Sequence, residues 1–499
     1  MSTPTLKNYI GGQWLKVAGV ATVPVFNPAT GSPIAQHPMS DDATVDQAVD
    51  AAAAAFEGWR RTPVPTRAAA MFRYRALLTN AIEELAGIIT DENGKTLDES
   101  RGELVRAIQY VEHAAAAPEL MKGSASENIG TAVDIMSIRE PLGVFAIVAP
   151  FNFPAMIPLY FTWAVATGNT VIVKPSEHCP LTTIRMVELA EEAGFPAGVI
   201  NVVLGGPNVV DRLARHPEVA GLSFVGSSDI AKLVYTTVTG EGKRCQAQGG
   251  AKNHLIVSDT AVLDRCGPNI VSSMFGNASQ RCFAGSNLLV MRSRYDEVLE
   301  LVLKAAGHYQ LGSGRDPATT LGPVINQQSR DRFIAAIDQA ESEGAEVLLD
   351  GRGASVAGFD DGFWLGPTLI RTATDTAIFT DELFGPVRCI HPIDTLDEAI
   401  DIVNASSFGH TAAIYTELGG EARELQIRAD VGQIGVNIGT PAPIAFYAVG
   451  GRRSSFYGDL RGRANDAVDF YTDKKVVVST WHANSSEAAG IDPVFEGEV

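Results

Sequence analysis

Short apolar runs separated by amphipathic stretches constrain this chain more than any other feature. GVFAIVA (143–149), TVIVK (170–174), VINVV (199–203), GLSFV (221–225) and HLIVS (254–258) show little polar alternation. A strand of that kind is covered on both faces. Between them, TTIRMVELAEEAG (182–194) and SSDIAKLVYTTV (227–238) have helical spacing. Strand–helix–strand repetition builds a parallel sheet with helices on both sides. Upstream, 44–60 (TVDQAVDAAAAAFEGWR) and 66–90 read as helices. After about residue 260 the pattern restarts, with runs at 287–291, 346–349, 411–415 and 434–438. Helical stretches near 295–308, 326–343, 396–404 and 420–429 alternate with them. A doubly wound half followed by a second α/β domain is expected. Residues 123–140 read as an exposed hairpin, and DKKVVVST (473–480) as a strand able to pair with it, on this chain or on a neighbour.

At ~150 residues per domain, 499 residues imply two or three domains. Lys and Arg total 39 against 58 Asp and Glu, a net charge of −19. Such a surface repels phosphate backbones, which argues against a nucleic-acid partner. The start, MSTPTLKNYIGGQW, lacks a basic segment followed by an apolar one, so no secretory signal is expected. No apolar run reaches the ~18 residues of a membrane helix. Cys179, Cys245, Cys266, Cys282 and Cys389 are widely spaced, which fits neither a disulfide scaffold nor a metal site. The expected setting is reduced and cytoplasmic.

Four segments carry chemistry. In FGNASQRCFAGS, small residues precede Cys282, and Gln280 and Arg281 are polar where a core helix would stay apolar. Arg281 would favour a thiolate, the form that attacks carbonyls; a buried, inert cysteine is the plainer alternative. In APFNFPAMIP (149–158), Asn152 follows a strand's carboxyl end, where α/β sheets place ligands. Its amide suits a developing oxyanion, or a simple turn. Lys174 and Glu177 in NTVIVKPSEHCP follow another strand and suit ribose hydroxyls, the carboxylate favouring NAD over NADP; a solvated ion pair is the alternative. In LSFVGSSDIAK, Gly226 and Ser227 lead into a helix whose N-terminus suits a pyrophosphate. No G-x-G-x-x-G fingerprint accompanies it.

Taken together, P-F-N-F-P (150–154), K-P-S-E (174–177), F-V-G-S (224–227), Q-R-C (280–282) and E-L-F-G-P-V (382–387) resemble the aldehyde dehydrogenase superfamily, over roughly Asn8 to Trp481. That resemblance implies a Rossmann-like NAD domain from 1–120 and 142–250 and an α/β catalytic domain from 251–469. Segments 121–141 and 470–499 would serve oligomerisation, the C-terminal strand joining a partner subunit's sheet in a dimer or tetramer. Cys282 would be the nucleophile, with Asn152 and the Cys282 amide forming the oxyanion hole. Ala149, Phe151, Lys174, Glu177, His178, Ser227, Gly249, Glu382 and Phe384 would contact NAD. No metal is implied.

Hydrolytic members carry E-L-G-G-K, whose glutamate activates water. Here the segment is Gln248-Gly249-Gly250-Ala251-Lys252. An amide is no general base at neutral pH, so a thiol acceptor such as coenzyme A is expected. G-A-K-N-H (250–254), S-I-R-E-P-L-G-V (137–144), S-S-F-Y-G-D-L (454–460) and D-F-Y-T-D-K-K-V-V (469–477) resemble the CoA-acylating methylmalonate-semialdehyde dehydrogenase branch. In that branch two arginines hold the substrate carboxylate, matching Arg106 and Arg281 here; planar forks suit that group. The expected reaction is oxidation of malonate or methylmalonate semialdehyde through a Cys282 thioester, decarboxylation, and transfer to CoA. Alternatives are a hydrolytic dehydrogenase, a family member retired to binding, and a cysteine hydrolase. Ser279 in place of a usual glycine, a stretch between Asn152 and Lys174 one residue short, and an atypical 445–453 depart from the family pattern.

Overall fold

The computed structural model describes residues 3–481 of the chain. Two large sheets dominate it. The first orders its strands as Gln13–Leu15, Asn8–Ile10, Ile200–Val202, Thr170–Lys174, Val144–Val148, Val219–Val225, Arg244–Gln248 and Phe456–Tyr457. Its five central strands are parallel, and the pairings toward each edge are antiparallel. Both faces are covered, as continuous apolarity demands. Phe145 and Ile147 point into one core, while Val144, Ala146 and Val148 point into another.

Chain order runs outward from Val144–Val148 through Thr170–Lys174 to Ile200–Val202, then returns to Val219–Val225 on the other side. This reversal opens a crevice at the carboxyl ends of Val144–Val148 and Val219–Val225, the usual ligand position in an open α/β sheet.

The second sheet orders Glu346–Leu349, Thr368–Arg371, Val387–Ile393, Gly285–Met291, Asn253–Val257, Thr411–Tyr415 and Gln433–Val436. All its pairings are parallel except the one made by Glu346–Leu349. HLIVS therefore belongs to this sheet and not to the first, where Arg244–Gln248 takes the place expected of it. RCQAQ reads as polar, yet Gln246 and Gln248 are buried, and Gln246 donates to Ser223 Oγ at 3.2 Å. Polar side chains that are buried against such partners hide a strand from a hydropathy reading.

The expected 66–90 helix is two helices, Val64–Asn80 and Ile82–Asn93, with Ala81 at φ −92°, ψ 9° between them. Neither glycine nor proline marks the break. It brings Met71, Tyr74 and Leu78 into the same core as Leu85 and Ile89.

Strands Ser124–Gly130 and Val133–Pro141 form the hairpin, and Thr472–Thr480 pairs antiparallel with Val133–Pro141 on this same chain. Residues 482–499 of the expected oligomerisation segment lie outside the described residues. No helix among the described residues is long and apolar enough to cross a membrane.

One buried ion pair anchors the loop that leaves the first sheet. Lys95 Nζ meets Glu103 Oε2 at 2.7 Å, with both side chains 1% exposed. Lys95 also donates to the Asn152 carbonyl at 2.8 Å, and Glu103 Oε1 accepts from the amides of Ala155 at 2.7 Å and Met156 at 3.1 Å. Asn93 adds a donation to the Phe151 carbonyl at 2.9 Å. Removing one partner strands the other charge, so Lys95→Met should cost about 3–5 kcal/mol and lower the thermal midpoint. Adding Glu103→Leu should recover part of that loss in the same melting experiment.

Candidate active site

Cys282 is delivered by an unusual turn. After the Leu263–Phe275 helix, Asn277, Ala278 and Ser279 hold φ values of 56°, 46° and 59°. Each left-handed non-glycine residue costs of order 1–3 kcal/mol, so the surroundings must enforce the turn. Glu99 Oε1 accepts from the Asn277 amide at 2.6 Å, and Ser279 Oγ donates to the Met274 carbonyl at 2.6 Å. Buried Arg388 donates to the carbonyls of Met274 at 2.8 Å and Ser279 at 3.2 Å. Gln280 Oε1 accepts from the Ile325 amide at 3.0 Å, and Asn253 Nδ2 donates to the Cys282 carbonyl at 2.7 Å. Ser279, where a glycine was the usual residue, thus has its hydroxyl engaged.

The thiol opens onto a cavity of about 600 Å³ that follows the crevice of the first sheet. Asn152 is on the same wall, and its Nδ2 donates to the Gln280 carbonyl at 3.2 Å. An amide carries two N–H groups, so one remains for an oxyanion on a carbon bonded to Cys282. Burial pushes the Cys282 thiol up to about 11, partly offset by the Arg463 guanidinium and by the amides of Cys282 and Phe283. The cation that counters burial at the sulfur is therefore Arg463 foremost, where the sequence reading looked to Arg281.

Farther along, the wall is suited to a dinucleotide. Lys174 Nζ meets Glu177 Oε1 at 2.8 Å. Burial lowers the Lys174 ammonium; burial would raise the Glu177 carboxyl, but the Lys174 charge brings it below its ordinary value. Ser227 caps the Ser228–Gly240 helix without using its own side chain, which leaves the first amides available to an anion. Beyond it, Pro207, Val210, Ala214 and Val234 line an apolar cleft with Ile230 and Leu233, which are 46% and 61% exposed. An apolar slot beside a helix N-terminus fits an adenine next to its pyrophosphate.

Toward the thiol, Phe384 takes φ 64° and its ring meets Phe151 edge-on at 5.9 Å. Glu382 Oε1 accepts from the Ala251 amide at 2.8 Å, and burial pushes its carboxyl up to about 7. Gly250 makes room for it, since a Cβ there would stand 2.2 Å from Glu382 Oε2.

A family model described as the aldehyde dehydrogenase family matches residues 14–477. The chain belongs to that family. Malonate-semialdehyde dehydrogenase 2 of Geobacillus kaustophilus (strain HTA426) is 45% identical over 479 residues, 96% of this chain and 99% of the relative. Malonate-semialdehyde dehydrogenase 1 of Geobacillus thermodenitrificans (strain NG80-2) is 44% identical over 96% of this chain and 99% of its own length. The crystal structure of methylmalonate-semialdehyde dehydrogenase from Oceanimonas doudoroffii superimposes with a TM-score of 0.95 at 38% identity, covering 97% of this chain and 99% of that one. A structure from Sinorhizobium meliloti 1021, complexed with NAD, reaches the same TM-score at 35% identity, over 97% of this chain and 99% of that one.

Among the expected site residues of this aldehyde dehydrogenase, Cys282, Asn152, Arg281, Ala149, Phe151, Lys174, Glu177, Ser227, Gly249, Glu382 and Phe384 line one cavity, and Gln248 joins them. His178 and Arg106 are not on its wall. His178 packs edge-on behind Phe151 at 6.2 Å. Arg106 is half-buried on the Leu97–Ala115 helix, with its Nη1 buried and, among the described residues, unpartnered. Tyr160 and Arg463 also line the cavity. Both sit in segments without a signature motif, so sequence reading missed them.

With the thiol held near 11, well above neutrality, the thiolate fraction multiplies about tenfold per pH unit below that value. Alkylation of Cys282 by iodoacetamide, in enzyme without cofactor, should follow that rise from pH 7 to 10. A plateau by pH 8 would contradict it.

Proposed function

We propose that this aldehyde dehydrogenase oxidises malonate or methylmalonate semialdehyde with NAD and passes the acyl group to coenzyme A. The observation that carries the acyl-transfer part is Gln248. It lines the Cys282 cavity, its Nε2 3.4 Å from the Tyr160 hydroxyl, and by resemblance it replaces the glutamate of the E-L-G-G-K that hydrolytic members carry. A neutral amide cannot take a proton from water at pH 7.

In this reading Cys282, as thiolate, adds to the aldehyde carbon while Asn152 and the Cys282 amide hold the oxyanion. NAD, when bound, accepts the hydride that leaves that carbon. Lys174 and Glu177 would hold a ribose, the helix N-terminus at Ser227 the pyrophosphate, and Glu382 the nicotinamide end, packed against Phe151 and Phe384. Cys282 is then left as a thioester whose β-carboxylate can depart as CO₂. The electron pair of that C–C bond moves onto the α-carbon, which takes up a proton. The CoA thiol displaces Cys282, giving acetyl- or propionyl-CoA and restoring the free thiol. The cofactor domain would comprise 1–120 and 142–250 and the catalytic domain 251–469. The hairpin and C-terminal strand would mediate assembly into a dimer or tetramer, in the cytoplasm.

A second reading, hydrolysis to a free acid, is favoured by Glu382, a carboxylate on the cavity wall pushed up to about 7 by its burial. Product identity separates the two. With malonate semialdehyde and NAD, sustained NADH formation should require CoA and yield acetyl-CoA. Gln248→Glu should relieve that requirement and yield free acid. CoA-independent turnover by the unaltered enzyme, with free acid as product, would overturn the acyl-transfer reading.

A further inference from the structure

A guanidinium on the wall of the Cys282 cavity has no carboxylate paired with it among the described residues. Arg463 is 4% exposed and stands at the head of the Ala464–Tyr471 helix. Gly462 before it permits close approach, because a Cβ there would stand 2.7 Å from Gln248 Nε2 and 3.1 Å from the Tyr160 ring. Its Nε meets the Tyr160 hydroxyl at 3.4 Å, and its Nη1 donates to the Pro443 carbonyl at 3.0 Å. The guanidinium carbon lies 4.7 Å over the Tyr110 ring. Every one of these partners is neutral. Buried cations normally have a counter-ion, and the Arg463 cation is open to the cavity that holds the thiol.

The other two arginines are placed differently. Arg281 also reaches the cavity, but it donates to the Ser272 carbonyl and has the Glu99 carboxylate acting on it. Arg106 is not on the wall. Of the two guanidiniums on the wall, Arg463 is the one that, among the described residues, has only neutral hydrogen-bond partners and no carboxylate acting on it.

We propose that Arg463 binds the carboxylate of the substrate and so selects short aldehydes that carry one. This rests on the semialdehyde reading above and names the residue that recognises its charge. A planar fork takes a carboxylate through paired N–H donors, and the neutral partners of Arg463 leave its full charge for that contact.

The test compares malonate semialdehyde with propanal, which has the same carbon count and no carboxylate, under saturating NAD and CoA. In Arg463→Met both aldehydes should lose rate together to the extent that the thiol loses its countering cation, and kcat/KM for malonate semialdehyde should fall about 30- to 100-fold further than that for propanal, the excess lying in KM. Arg463→Lys keeps the charge without the fork and should fall between. If the Met variant loses its folded circular-dichroism spectrum, the Lys variant carries the comparison by the same criterion. Equal losses for both aldehydes would overturn the proposal, since Arg463 would then serve the thiol or the packing. Unaltered discrimination would overturn it while leaving the semialdehyde reading intact. Unaltered enzyme that does not prefer malonate semialdehyde to propanal would overturn both.

Discussion

A single hydrogen bond joins the two halves of the chemistry: Asn152 Nδ2 donates to the Gln280 carbonyl at 3.2 Å across 128 residues of sequence. Asn152 leaves the first sheet at its switch point, and Gln280 lies in the turn that feeds the second. Two sheets that fold on separate cores must meet closely enough for an amide and a thiol to face one carbonyl carbon. Both ends of the bond are held by groups that tolerate little displacement. On one side are Lys95, Glu103 and Asn93; on the other are Glu99, Asn253 and Arg388.

These supports are largely buried and charged, which costs stability unless every donor and acceptor finds a partner. Here the charged ones bind backbone amides and carbonyls, so their charge is converted into loop position. Glu99 illustrates the economy of means: it shares in a capping box with Thr96 at the start of the Leu97–Ala115 helix while its other oxygen holds the Asn277 amide. The same helix that supplies Glu103 to one loop therefore supplies Glu99 to the other. Strain in the left-handed turn at 277–279 persists because that helix over-determines it.

The strand runs of the first half were legible because buried parallel strands are apolar throughout, and Thr170–Lys174 matches its run to the residue. Arg244–Gln248 and Val387–Ile393 were not, since they carry buried glutamine and arginine whose hydrogen bonds come from neighbours distant in sequence. The break at Ala81 has no local signal, because packing rather than a breaker residue turns the chain. Of the site, the residues within signature motifs were legible through their order. Tyr160 and Arg463 were not, as each gains its meaning only from the cavity they share.

The sequence by itself determined the family, through motifs whose joint occurrence chance does not produce, and those motifs hold most of the residues that line the cavity. It also placed an amide, Gln248, in the segment leading to Lys252. Only the tertiary structure decided which groups face the thiol. Charge acts over a few ångströms, and burial removes the water that would screen it. A guanidinium 181 residues downstream of Cys282 can therefore oppose the burial of its sulfur, while the neighbouring Arg281 donates to the Ser272 carbonyl.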